Sequence, residues 1–190
     1  MKKNLLSHQM FQDKICQNTY FALKALIDNC YYTQLARPPN FEGIGGETQS
    51  SWREYCTVRL YTARMAGHST AIRKVAYEYF KKAIILSPKV DMSRQIQDCF
   101  CNGIKEKATV DKGIQLPVVS KKQNRILEIN GDHSYFFESF HSLDSLRGIE
   151  AEAIFVDCAF MLSEEKTQYI YDNLGPCMAR YPQNFFIFVQ

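Results

Sequence analysis

The stretch Leu60-Tyr61-Thr62-Ala63-Arg64-Met65-Ala66-Gly67-His68-Ser69-Thr70 decides the fold. Its leading edge, Thr57-Val58-Arg59-Leu60-Tyr61-Thr62, alternates and is rich in strand-forming residues, so it predicts a strand. Behind it a helix is expected from Ser69 to Lys82. A strand that feeds a glycine turn and then a helix N-terminus is a phosphate site, because unpaired N–H groups and the helix dipole face an anion there. Gly67, His68, Ser69 and Thr70 are thus candidate anion-binding residues, and Ser69 stands where a hydroxyl would ligate Mg²⁺.

Working outward, Ala83-Ile84-Ile85-Leu86-Ser87 is a short apolar run of the kind buried in parallel sheets. Pro88 ends it, and Asp91 is placed to cap a helix reaching about Cys101. Leu116–Ser120, Arg125–Ile129 and Tyr135–Phe140 read as strands, with Asn130-Gly131-Asp132 as the hairpin turn between the last two. Ala153-Ile154-Phe155-Val156-Asp157 is a further apolar strand that ends in an acid. Ser163-Glu164-Glu165 opens a helix, and Phe185–Gln190 is a last buried strand. Such alternation argues for an α/β fold with a mostly parallel sheet. Its ligands bind at the C-terminal strand edge, where Asp157 would lie beside the Gly67 turn if the two strands are neighbours. Ser69 and Asp157 are therefore the candidate Mg²⁺ ligands. Upstream, residues 8–35 read as a helix closed by Arg37-Pro38-Pro39-Asn40, and residues 40–51 as a loop. The expected division is an N-terminal helical extension and loop over 1–51 and the α/β domain over 52–190.

The 190 residues suit one domain, and 46% apolar with 23% charged residues suit a packed core. No apolar run reaches the roughly 18 residues of a membrane helix. The opening Met1–Leu6 starts like a signal peptide, but Ser7-His8-Gln9 breaks it. Seven scattered cysteines suit free thiols in a reducing compartment, so a cytoplasmic protein without a membrane partner is expected. Charge is uneven: residues 1–125 hold 20 Lys and Arg against 10 Asp and Glu, while residues 126–190 hold 3 against 10. The densest basic stretch contains Lys105, Lys107, Lys112, Lys121, Lys122 and Arg125. It reads equally as a solvated loop region or as a nucleic-acid-binding face. His133 and His141 lack metal-ligand spacing. Tyr31, Tyr32, Trp52 and Tyr55 read as core packing ahead of base stacking.

Thr62-Ala63-Arg64-Met65-Ala66-Gly67-His68-Ser69-Thr70-Ala71 resembles the Walker A segment of phage large-terminase ATPases, which often carry an arginine shortly before Gly-Lys-Ser/Thr. Ser142 to Phe160, running through Leu146-Arg147-Gly148 into Ile154-Phe155-Val156-Asp157-Cys158-Ala159, is similar to that family's approach to its Walker B strand. Ile85-Leu86-Ser87-Pro88 is similar to the second strand of terminases and related helicases. The likeness covers roughly residues 50–190. It implies a P-loop NTPase core of RecA-like (ASCE) type, truncated after the sensor strand at Gln190. It also implies Mg-ATP as the ligand to consider, Arg64 as a supplementary phosphate contact, a virus-encoded setting, and a protein, DNA, RNA or oligomeric partner. With no acidic cluster after Gln190, a nuclease is not expected.

Two departures from the family pattern decide the expected activity. His68 stands in the place of the Walker A lysine, and Cys158 in the place of the catalytic glutamate. Losing a charge-assisted phosphate contact costs about 1.5–3 kcal/mol. Losing a water-activating acid costs roughly 10²–10⁴ in rate. The expectation is a pseudo-ATPase acting by partner binding; the alternative is a slow NTPase completed by another chain, with Arg64 standing in for the lysine.

Overall fold

The computed structural model describes the backbone of residues 2–36, 53, 55–62, 66–110, 118–122, 125–178, 181 and 183–190. In chain order the regular elements are α1 (Lys2–Leu35), β1 (Thr57–Leu60), α2 (His68–Tyr79), β2 (Lys82–Ser87), α3 (Val90–Val110), β3 (Val119–Lys122), β4 (Ile126–Ile129), β5 (His133–Ser139), β6 (Ala153–Asp157), α4 (Glu164–Tyr169) and β7 (Phe185–Val189). Every strand expected from the sequence is present. Two helices run beyond their expected ends. α1 starts at Lys2, and α3 continues nine residues past Cys101, because Asn102 to Val110 contains no proline and Gly103 alone does not break it. Asp91 lies within the first turn of α3 and not at its cap.

The seven strands form one sheet in the order β1-β7-β6-β2-β5-β4-β3. β1, β7, β6, β2 and β5 run parallel, and β4 and β3 add an antiparallel edge. Asn130 and Gly131 both have positive φ, 54° and 79°, which the tight turn from β4 to β5 requires. The central strands β2, β6 and β7 are buried along nearly their whole length, as expected of a parallel sheet covered on both faces.

Alternate residues of these strands feed two cores. Val58, Ile85, Tyr135, Phe137, Phe155 and Ile187 pack with α1, α2 and α3 through Leu23, Ile27, Ile72, Val75 and Phe100. Ile84, Leu86, Ile154, Val156, Phe186 and Phe188 pack on the other face with Leu143, Leu146, Ile170, Tyr171 and Leu174. Ser163 caps α4 by accepting the Lys166 N–H, as its sequence position predicts, and the helix widens into a π turn at Ile170–Leu174. α1 lies against α2 and β1. Its buried positions Thr19, Leu23 and Ile27 recur every four residues, so a single narrow stripe attaches it.

Among the described residues no helix is long and apolar enough to cross a membrane.

Candidate functional site

The parallel strands end together at one edge of the sheet. There β1 and β6 are not neighbours: β7 lies between them. The Gly67 turn therefore has to cross two strand spacings, about 10 Å, to reach Asp157. It does so. Thr62 N–H donates to the Gln190 carbonyl (2.6 Å), and Gln190 N–H to that of Leu60 (2.9 Å), so β1 and β7 stay paired to their tips. The first residue of α2 brings an imidazole within 3.8 Å of the Asp157 carboxylate.

Gly67 precedes α2 in the left-handed conformation (φ 76°, ψ 34°), where glycine carries no steric penalty. Gly67 has no side chain to cap this helix, so among the described residues its first N–H groups, which lack intrahelical partners, receive no cap from that position. The turn is braced from outside by α1. The Thr19 hydroxyl donates to the Ala66 carbonyl (2.6 Å, buried), and a Cβ on Gly67 would lie 2.3 Å from Cys16 Sγ and 3.1 Å from Cys16 Cα. Sequence reading gave α1 no part in the site, because what Cys16 and Thr19 touch is a tertiary matter.

His68 is turned inward. Its side chain is 13% exposed, its Nε2 is hydrogen-bonded to the Thr62 hydroxyl, and its Nδ1 faces Asp157. Asp157 is buried at 3% exposure. Its Oδ1 accepts the Cys158 N–H (2.9 Å), and the Ser69 hydroxyl and Cys158 thiol lie near enough to the carboxylate to favour its charged form. Burial dominates nonetheless and pushes the Asp157 carboxyl above its ordinary value, with the His68 charge and these donors opposing the shift. Cys158 adopts φ 54° and ψ 44° at the turn leaving β6. The thiol points at an acid, which is poor surroundings for a reactive thiolate.

Thr70 sits half-buried in the first turn of α2 beside these groups. Arg64 lies outside the described residues, as do Trp52 and Lys112, and Lys105, Lys107 and Lys122 are described in their backbone alone. Lys121 and Arg125 are described, and each meets an acid: Lys121 pairs with Asp98, and Arg125 with buried Glu138 at 2.8 Å. His133 stacks on Tyr77 and pairs with Asp132. Among the described residues no group of three His, Cys, Asp or Glu could hold a metal ion.

Two further polar groups extend the site. Ser87 ends β2 one register step beyond the Leu86–Val156 pair, which sets it beside Asp157, and Ser87 is itself paired with Ser139 of β5. Both serines are fully buried, and neither hydroxyl has a hydrogen-bond partner among the described residues. A polar row of Asp157, Ser87 and Ser139 thus crosses three strand ends, on the face that carries α2 and α3. The sequence places Ser87 at the end of this strand but does not show that it comes level with Asp157.

The sign of the Asp157 shift gives a stability test. A carboxyl raised on folding favours the protonated protein, so its stability is complete below the unfolded value of about 3.9 and declines as pH rises through the folded one. Asp157→Asn removes that decline. In metal-free buffer with chelator we expect the variant to be more stable at pH 7 by about 1 kcal/mol, or roughly 2–4 °C in Tm for a chain of this size. The gain should shrink towards pH 4 in calorimetric scans; a gain independent of pH would show that burial of the charge is not its source.

These features define an α/β protein with a mostly parallel sheet and a glycine turn, histidine and buried aspartate gathered at its C-terminal edge. Solved structures of similar fold include the large terminase ATPase domain of Thermus phage P74-26, with a TM-score of 0.54 and 14% identity over 80% of this chain and 68% of that one. An arginine-to-alanine variant of the same domain matches with a TM-score of 0.54 and 13% identity, over 80% of this chain and 69% of that one. At such identity the likeness is one of fold. No family model matches the sequence, and no curated protein does.

Proposed function

We propose that the chain is a degenerate P-loop domain of terminase type, which does not turn over ATP efficiently and acts by binding a protein or nucleic-acid partner. One observation carries the reading. At the position where a P-loop lysine would extend to the phosphates, the His68 imidazole is folded back between Thr62 and Asp157. It presents neither the reach nor the permanent charge of an ammonium, and it faces the carboxylate that would otherwise serve a metal.

The donor set fits Mg²⁺ in kind. The Ser69 hydroxyl and the Asp157 carboxylate are hard oxygens within hydrogen-bond reach of each other, and Mg²⁺ usually takes one or two protein ligands beside water and phosphate. Bound there, the ion would neutralise charge on the β- and γ-phosphates. The chain's own contribution would be the N–H groups at the start of α2, aimed at an anion, and the Gly67 turn that lets the backbone approach it. What is lacking is a group to activate water. A thiol beside the Asp157 carboxylate is a poor base for water.

The test is turnover by the purified full chain with Mg²⁺, before and after Asp157→Ala. We expect both proteins to hydrolyse ATP at background rate. Robust turnover that Asp157→Ala abolishes would overturn the proposal and favour the slow NTPase instead. A nucleic-acid partner would engage the stretch from Lys105 to Arg125, where Lys121 and Arg125 already carry acidic neighbours. That reading requires DNA affinity to fall steeply with salt.

A further inference from the structure

At the opposite end of the sheet, where the parallel strands begin, a cavity of about 510 Å³ opens between α1, the end of α2 and the start of β7. Its wall holds four tyrosines, Tyr31, Tyr32, Tyr79 and Tyr181, and two carboxylates, Asp28 and Glu152. The size is that of a small-ligand site. Its chemistry is that of a cation receptor: ring faces attract a positive charge, and carboxylates fix its direction.

The carboxylates are positioned and unmatched. Tyr79 donates its hydroxyl to Asp28 Oδ1 (2.8 Å), and the Lys81 N–H donates to Glu152 Oε2 (2.7 Å), so each acid is held by one oxygen. Among the described residues neither forms an ion pair. The nearby ammonium groups are engaged elsewhere, Lys24 by Glu78 and Lys82 by Glu150. One of the rings already attracts a cation, since Lys24 Nζ lies 5.3 Å from the centre of Tyr79. Tyr32 is 67% exposed at the rim, far more than a core tyrosine would be.

We propose that this cavity binds a guanidinium group, that of an arginine side chain on a partner protein. A planar guanidinium can stack on tyrosine while its N–H fork reaches carboxylates, which a compact, strongly hydrated ammonium does less well. The site is independent of the Gly67–Asp157 edge and of the function proposed for it.

The experiment uses the full chain and three short blocked peptides, Gly-Arg-Gly, Gly-Lys-Gly and Gly-citrulline-Gly, titrated by NMR or calorimetry. Citrulline keeps the shape of arginine and removes its charge. Saturable binding of the arginine peptide is expected, weakened about tenfold or more for citrulline, as befits loss of a charge-assisted contact. Lysine should fall between them. Glu152→Gln keeps the acceptor for the Lys81 N–H, and Tyr32→Ala alters an exposed ring, so both variants should fold; each should weaken the arginine peptide several-fold. Equal binding of arginine and citrulline, no saturation at millimolar peptide, or binding unmoved in both variants would overturn the proposal. Tighter binding of lysine than arginine would also overturn it, and would assign the cavity to amines.

Discussion

Gly67→Ala is expected to lower the thermal midpoint by roughly 6–12 °C. Two independent costs add. The first is conformational: at φ 76° an alanine adopts the left-handed region, which costs an L-residue about 1–2 kcal/mol. The second is steric. The new Cβ would meet Cys16 Sγ at 2.3 Å and the Cys16 backbone at 3.1 Å, so α1 must shift or the turn must open. Overpacking of this kind costs typically 1–3 kcal/mol. Together they come to about 3 kcal/mol, and each kilocalorie moves the midpoint by about 2–4 °C in a chain of 150–250 residues. The pair Gly67→Ala with Cys16→Ala separates the terms. Removing the sulfur should recover part of the loss, while the strain at φ 76° remains. Full recovery would show that the left-handed conformation costs alanine nothing here, whereas no recovery, or a loss of less than about 2 °C from the single change, would show that α1 does not brace this turn. The thermal shift is read by calorimetry or near-ultraviolet circular dichroism.

That contact also marks where sequence reading ends. Local chemistry is legible. The strand before Gly67, the apolar runs of β2, β6 and β7, the Asn130-Gly131 turn and the Ser163 cap all depend on residues close in sequence. A glycine turn and a strand-ending aspartate are each legible too, and a sheet that ends both at one edge brings them within reach. What periodicity cannot supply is strand order. Nothing in Ala153–Asp157 says that β7, 28 residues further on, inserts between it and β1. The condition set for that meeting, that β1 and β6 be neighbours, does not hold, and the Gly67 turn makes up the distance. Nor could sequence tell that the Ser87 hydroxyl comes level with Asp157, since the relation is one of register across strands 66 residues apart. Side-chain direction was equally hidden. His68 and Cys158 were legible as substitutions of a lysine and a glutamate in a resembling motif, but not as two groups that both turn onto Asp157.

If those two substitutions are what silences the site, restoring them should produce a large gain. We expect His68→Lys to increase affinity for Mg-ATP by about 10- to 150-fold, the equivalent of a charge-assisted contact worth 1.5–3 kcal/mol. It should appear as a ligand-dependent rise in Tm that the unmodified chain shows weakly or not at all. His68→Lys combined with Cys158→Glu should then raise turnover by roughly 10²–10⁴ over the single variant, the range of a positioned general base. Folding does not stand in the way: Cys158 is already a non-glycine residue at φ 54°, so glutamate there incurs no new class of backbone strain. The two carboxylates at 157 and 158 would repel one another, and Mg²⁺ offsets this, so the gain should demand the metal. Adding Asp157→Ala to the pair should return turnover to background. The outcomes separate the parts of the reading. If the lysine variant shows no nucleotide-dependent stabilisation, the Gly67 turn is not a phosphate cradle and the ancestry inferred from it fails. If it binds but the double variant stays silent, the cradle stands, and residue 158 is not where water is activated.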